Sequence, residues 1–209
     1  RQSSGVDWNT MFSTLNTVRQ ELADVFPYKT ILVDGAEADD IIGCISRHIT
    51  NEPILILSSD KDFIQLHTNP NVKQYSPVLK KFVRHENPEV YLKEHIVKGD
   101  RGDGIPNIHS PDGVFVDGGR QKPVRKKILE ELTCIDIDRI ENCQYLEKDM
   151  LKRNWMRNRQ LIDLAVIPEE IEKDIMKVYN NYEINDRSGL FNFFIEKRLN
   201  NLMEAIGEF

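Results

Sequence analysis

The sequence predicts an α/β fold, a parallel-sheet core at the front continued by a helical C-terminal part. Three observations carry this. Two short apolar runs, Thr30-Ile-Leu-Val33 and Pro53-Ile-Leu-Ile-Leu57, read as buried strands. Between them, Ile41, Ile42, Ile45 and Ile49 recur at the spacing of one helix face, so 37–49 reads as a helix with those residues inward. Strand, helix and strand in immediate succession imply a parallel pair. From Asp136 onward the spacing is helical throughout.

The other elements follow in order. Residues 8–23 form a helix with Met11, Leu15, Val18 and Leu22 on one side. Residues 72–75 and 81–84 flank Ser76-Pro77 as a hairpin. Residues 88–98 are helical, with Pro88 near the first turn. Residues 99–119 are rich in Gly, Pro, Asp and Asn, hence a loop. Helices are expected at 123–132, 136–142, 145–164, 168–182 and 189–206, the last split near Leu199. The domain division is expected at 87/88, with 1–87 as the C-terminal portion of the core.

Composition narrows the class. The hydrophobic fraction is 40%, enough for a real core. No stretch approaches the ~18 apolar residues of a membrane span. Cys44, Cys134 and Cys143 match no metal-knuckle spacing and read as reduced thiols of a cytoplasmic protein. The chain opens on Arg1-Gln2-Ser3-Ser4-Gly5 without a methionine, and a preceding segment is expected.

The net charge of −6 is unevenly distributed. Between Ile31 and Leu66 the acids are Asp34, Glu37, Asp39, Asp40, Glu52, Asp60 and Asp62, opposed by Arg47 and Lys61. Later, Arg120-Gln-Lys-Pro-Val-Arg-Lys-Lys127 is strongly basic, and Lys152, Arg153, Arg157 and Arg159 add a second basic stretch. Acids grip cations, and Lys and Arg grip phosphates. Solvated helix faces would give a similar pattern.

Three acidic clusters stand out. Glu37-Ala-Asp39-Asp40 opens a helix directly after a predicted strand, where ligands of parallel sheets gather. Acids in a first helical turn also simply suit the helix dipole. Ser58-Ser-Asp60-Lys-Asp62-Phe63 follows the second strand, and two carboxylates there repel unless a cation lies between them. Lys98-Gly99-Asp100-Arg-Gly-Asp103-Gly104-Ile105-Pro106-Asn107 is a tight glycine turn carrying two more. Together Glu37, Asp39, Asp40, Asp60, Asp62, Asp100 and Asp103 form an oxygen-only donor set with no His or Cys, suited to two Mg²⁺ or Mn²⁺ ions. Two such ions about 3.5–4 Å apart activate a water and stabilise the leaving oxygen of a phosphodiester.

The order Glu-Ala-Asp-Asp, Ser-Ser-Asp-Lys-Asp-Phe and Lys-Gly-Asp-x-x-Asp-Gly-Ile-Pro-Asn resembles the flap endonuclease and 5′–3′ exonuclease superfamily, and within it the RNase H branch of T-even-like bacteriophages. Gln65-Leu-His67, Asn71-Val-Lys-Gln-Tyr75-Ser-Pro77 and the ending Glu208-Phe209 extend the likeness along the chain. The resemblance implies a PIN-like 5′ nuclease core with a helix–three-turn–helix at about 88–132, whose first third is not in this sequence. It implies hydrolysis of RNA–DNA and DNA duplexes and 5′ flaps, removing RNA primers during phage replication in the bacterial cytoplasm. By motif, Glu37, Asp39 and Asp60 match the first metal, Asp62 and Asp103 the second, with Asp40 and Asp100 beside them. Lys98, Lys122, Arg125, Lys126 and Lys127 are the expected phosphate contacts. A single-stranded DNA-binding protein and a sliding clamp are implied partners, and the enzyme itself is expected to be a monomer. Two other readings fit parts of the pattern: a Toprim-type enzyme, or a non-catalytic DNA-binding fragment. His67 is expected at the surface, Trp155 in helix packing, and Phe191, Phe193, Phe194 and Ile195 in the core of the C-terminal helices.

Overall fold

The computed structural model describes residues 5–209. Its helices and strands run α1 (Trp8–Val25), α2 (Ala38–His48), β1 (Ile54–Leu57), β2 (Val72–Ser76), β3 (Lys81–Val83), α3 (Pro88–Lys98), α4 (Lys126–Thr133), α5 (Ile137–Ile140), α6 (Asp149–Ile162), α7 (Glu169–Asn181), α8 (Leu190–Glu196) and α9 (Asn200–Glu204). Short 3₁₀ segments at Asp62–Thr68, Gln144–Leu146 and Ile206–Glu208 complete them. The chain divides into two compact units, Gly35–Lys173 and the described residues up to Asp34 together with Asp174–Phe209.

In the larger unit the sheet has the order β1-β2-β3, with β1 parallel to β2 and β2 antiparallel to β3. The expected hairpin is there, Gln74 opposite Val83 and Ser76 opposite Lys81. The expected strand at 30–33 is not: those residues have no ladder partner, and β1 pairs with β2 instead. The parallel connection therefore runs through the Asp62–Thr68 segment, not through α2. Only Ile56 of β1 is buried, while Leu55 and Leu57 are exposed, so the apolar run is covered on one side among the described residues. On α2 the deepest residues are Gly43, Cys44 and Ser46, while the isoleucines are half-buried. Gly43 lets α2 approach Leu164 closely: a Cβ there would lie 3.0 Å from the Leu164 side chain and push it back by a few tenths of an ångström.

A second core joins α3, α4 and α6, with Ile96, Ile108, Leu132, Ile140, Leu146 and Trp155 essentially sealed from solvent. Such buried side chains contribute about 1.5–3 kcal/mol each. Trp155 packs as the sequence indicates. Helix α4 begins at Lys126 and not at 123: Arg125 is still extended and stands as its N-cap.

The other unit clusters Phe26, Leu190 and Phe194 with Phe193, Leu202, Met203 and Phe209. Rings of Phe194 and Phe209 meet edge-on at 5.4 Å. Phe191 and Ile195 are exposed, against expectation, because the short helix α8 can turn only one side inward. The split expected near Leu199 is there: Arg198 has φ 56° and Leu199 is the N-cap of α9. On α1, Asp7 caps Asn9 and Thr10 through its carboxylate. Leu15, Val18 and Leu22 are exposed along one side of it.

Candidate active site

The segment after β1 is shaped by short polar contacts. Ser58 Oγ accepts from the Asp60 amide at 3.1 Å, and Asp60 Oδ1 accepts from the Asp62 amide at 3.0 Å. The buried Gln74 amide, one strand over, donates to the carbonyls of Ser58 and Asp60. These bonds turn Asp60 and Asp62 out of the strand end.

Helix α3 supplies the opposite wall. Asn87 caps it, Pro88 fills its first turn, and Gly99 at φ 67° ends it. Tyr91 and His95, one turn apart, face the acids, with ring centroids 5.9 Å apart. The glycine turn then returns Asp100 and Asp103. Asp100 Oδ1 accepts from the Gly102 amide at 2.6 Å and the Asp103 amide at 3.3 Å.

The result is a cavity of about 410 Å³ lined by Ser59, Asp60, Lys61, Asp62, Tyr91, His95, Asp100 and Asp103. Four of the seven expected acids meet there. His95 is the residue sequence reading missed: an imidazole stands among the expected carboxylates. Its Nε2 lies 3.0 Å from Asp100 and its Nδ1 3.4 Å from Asp62. Atoms of Asp62, His95 and Asp100 lie within 4.8 Å of one another, a group that could hold a metal ion. The available signal was position: His95 sits on the helix that ends at Gly99, one turn before Asp100.

Burial pushes the Asp62 carboxyl up to about 6, against the pull of His95, and Asp60, Asp100 and Asp103 push it further. Desolvation would also raise Asp100, but hydrogen bonds from His95 and the Gly102 and Asp103 amides outweigh it and hold it below the ordinary value. Asp39 is raised, mainly by burial, with Asp40 and Asp60 contributing, so it stands within the field of the cavity acids. Glu37 and Asp40 serve the start of α2: the Glu37 amide donates to Asp40 Oδ2 at 2.9 Å. Among the described residues, the cavity wall does not include Glu37, Asp39 or Asp40.

The basic residues divide in two. Arg153 and Arg157 both pair with Asp112, and Arg159 pairs with Asp138 and Asp163, so ion pairs within the unit engage these arginines. Lys122, Arg125, Lys126 and Lys127 are exposed. Lys126 and Lys127 meet only Glu130 and Glu131, at 3.5 and 3.8 Å, as exposed helix pairs that contribute little. Lys98 pairs with Glu94 on α3. His67 is half-buried with its Nε2 unpartnered, not at the surface as expected.

Comparison with known proteins now bears on these features. A family model described as the C terminal of T4 RNase H matches residues 86–209. The model of the 5′–3′ exonuclease N-terminal resolvase-like domain matches residues 9–98. Ribonuclease H of Enterobacteria phage T4 is 33% identical over 216 residues, covering 100% of this chain and 70% of that one. The chain belongs to the T4 RNase H family. This RNase H-family chain is thus a nuclease, and nucleic acid is its substrate class. The 5′–3′ exonuclease of Buchnera aphidicola subsp. Acyrthosiphon pisum (strain APS) is 38% identical over 89 residues, 38% of this chain and 31% of its own. A crystal structure of the T5 D15 protein, co-crystallised with metal ions, superposes with TM-score 0.56 at 17% identity, covering 85% of this chain and 74% of that one. It shares the fold. The family assignment sets aside the Toprim-type alternative. Among the described residues, no helix is long and apolar enough to cross a membrane.

Proposed function

We propose that this RNase H-family chain forms most of a divalent-metal-dependent 5′ nuclease that hydrolyses RNA–DNA and DNA duplexes and 5′ flaps. The observation that carries the reading is the convergence of Asp60, Asp62, Asp100 and Asp103 on one cavity from two separate stretches of chain. Grouped carboxylates of this kind destabilise a fold unless cations neutralise them.

The donor set suits Mg²⁺ or Mn²⁺: carboxylate oxygens dominate, and one imidazole is tolerated. Asp62 and Asp103, with Asp100 and His95, would hold one ion; Asp60, with Glu37 and Asp39, would hold a second. Such ions supply an activated water and charge neutralisation at the phosphorus. The protein's own residues place the carboxylates, line them with Tyr91, and keep Asp100 ionised through His95 and two amides. Lys98, Lys122, Arg125, Lys126 and Lys127 would grip the duplex backbone without reading sequence. The division proposed at 87/88 falls between the C-terminal portion of the nuclease core and the helix–three-turn–helix with the helical C-terminal part, and the metal site draws ligands from both sides of it. Primer removal in the cytoplasm of a phage-infected bacterium is the role proposed for this monomer. A single-stranded DNA-binding protein and a sliding clamp are its proposed partners.

Asp60→Asn and Asp103→Asn are each expected to cut Mg²⁺-dependent cleavage of a 5′-flap DNA by about 10²–10³-fold, since each weakens several kcal/mol of charge stabilisation. Flap binding in Ca²⁺ is expected to persist. Either variant cleaving at the parental rate would refute the assignment. If the parent itself binds flap DNA but never cleaves, a DNA-binding role for this chain replaces the enzymatic one.

Replacing Lys126 and Lys127 together by Gln is expected to weaken duplex binding equally across sequences. The slope of log affinity against log salt should fall by about 1 per lost contact. An unchanged slope in fluorescence anisotropy would remove this helix start from the interface.

A further inference from the structure

We infer that Asn158 is a positioning residue for the Asp100–Asp103 limb of the site, acting through the Pro106 carbonyl. The inference rests on the nuclease reading above and goes beyond it to a side chain outside the cavity.

Asn158 lies on α6 and is wholly buried. Its Nδ2 donates to the Ile96 carbonyl at 2.8 Å and to the Pro106 carbonyl at 2.9 Å. Its Oδ1 accepts from Arg157 Nε at 2.9 Å, so the amide's bonding capacity is well used. Ile96 stands one residue after His95, in the last turn of α3. Pro106 stands three residues after Asp103. One buried amide therefore ties the two ends of the segment that carries Asp100 and Asp103, with His95 one residue outside it.

Three further observations converge on the same neck. Arg157 donates a second bond to the Pro106 carbonyl at 2.9 Å. Gly99 packs against it from the other side, where a Cβ would lie 2.4 Å from the Ile105 carbonyl oxygen and 2.6 Å from the Pro106 carbonyl carbon. The Ile105 amide closes the turn onto the Asp100 carbonyl at 2.6 Å. The loop is pinched at its base, with Asp100 beside the neck and Asp103 beyond it. A helix carbonyl in the last turn needs a partner from outside the helix. Here that partner also clamps the loop, so losing it frees both ends at once.

The test uses Asn158→Asp, which keeps the shape and removes the amide donors, and Asn158→Ala. Folding is verified by circular dichroism and thermal unfolding. Folded variants are expected to need about 10- to 100-fold more Mg²⁺ for half-maximal flap cleavage, with reduced kcat. Flap affinity in Ca²⁺ should remain parental. A merely structural role would lower the unfolding temperature and leave the Mg²⁺ requirement of the folded fraction unchanged, and that result overturns the inference. Should the Asn158 variants fail to fold, Gly99→Ala strikes the same neck from the other side, and a parental Mg²⁺ requirement there overturns it equally. Asp103→Asn runs alongside: if it too cleaves normally, the site assignment fails and not the clamp alone.

Discussion

Asp62→Asn is expected to abolish Mg²⁺-dependent cleavage and, in metal-free protein at neutral pH, to raise stability by about 1–2 kcal/mol. The carboxyl is held at about 6 in the folded chain. A free Asp titrates near ~3.9, a gap of about 3 kcal/mol at full strength. The side chain is 23% exposed, and solvent screening reduces that to about 1–2 kcal/mol. The sign follows from proton binding. The folded state holds this proton more tightly than the unfolded state, so the penalty is absent below pH ~4 and grows as pH rises through 6. Asn removes the charge and with it the penalty. Thermal unfolding without metal should therefore show the variant ahead at pH 7.5 and level with the parent at pH 4. Mg²⁺ should then stabilise the parent, by about 2.7 kcal/mol at a hundred times its dissociation constant, and the variant much less. Equal stabilisation of both proteins by Mg²⁺ would place the ion elsewhere.

Trp155→Ala is expected to lose about 3–5 kcal/mol, the largest stability effect in the larger unit. Trp155 is wholly buried at the centre of the α3–α4–α6 core. Its Nε1 has no hydrogen-bond partner, so the indole acts through packing alone. Trp155→Phe should cost less, since it keeps one aromatic ring and removes the unpaired donor, and its remaining cost is the space the smaller ring leaves unfilled. Function should follow stability, because α6 also carries Asn154 and Asn158, which bind the carbonyls of Ile108, Ser110, Ile96 and Pro106. Urea unfolding of the three proteins measures this. A loss under about 1 kcal/mol for Trp155→Ala would mean that α6 is held by other contacts.

Much of this architecture is local. Pro88 and Gly99 bracket α3 because one fits a first turn and the other can leave a helix with positive φ. The hairpin at Val72–Val83 and the break at Leu199 have equally short-range causes. Pairing is not local. Thr30-Ile-Leu-Val33 and Ile54-Leu-Ile-Leu57 are equally strand-like, yet only the second has a ladder partner. Burial is no more local: Leu55 and Leu57 are as apolar as Ile56 and stay exposed.

The site divides along the same line. Composition and order were enough to single out Asp60, Asp62, Asp100 and Asp103, because closely spaced acids beside glycine turns oppose ordinary folding and ask for a cation. They also singled out Glu37, Asp39 and Asp40, which the fold keeps off the cavity wall. What only the tertiary structure decided was company: His95 between Asp62 and Asp100, Gln74 beneath Asp60, and Asn158 at the base of the glycine turn. Each is a polar side chain of common type, and only His95, five residues before Asp100, has a neighbour in sequence that hints at its role. Its role comes from packing that brings residues 14 to 52 positions apart, or a helix face and its acids, within hydrogen-bond reach.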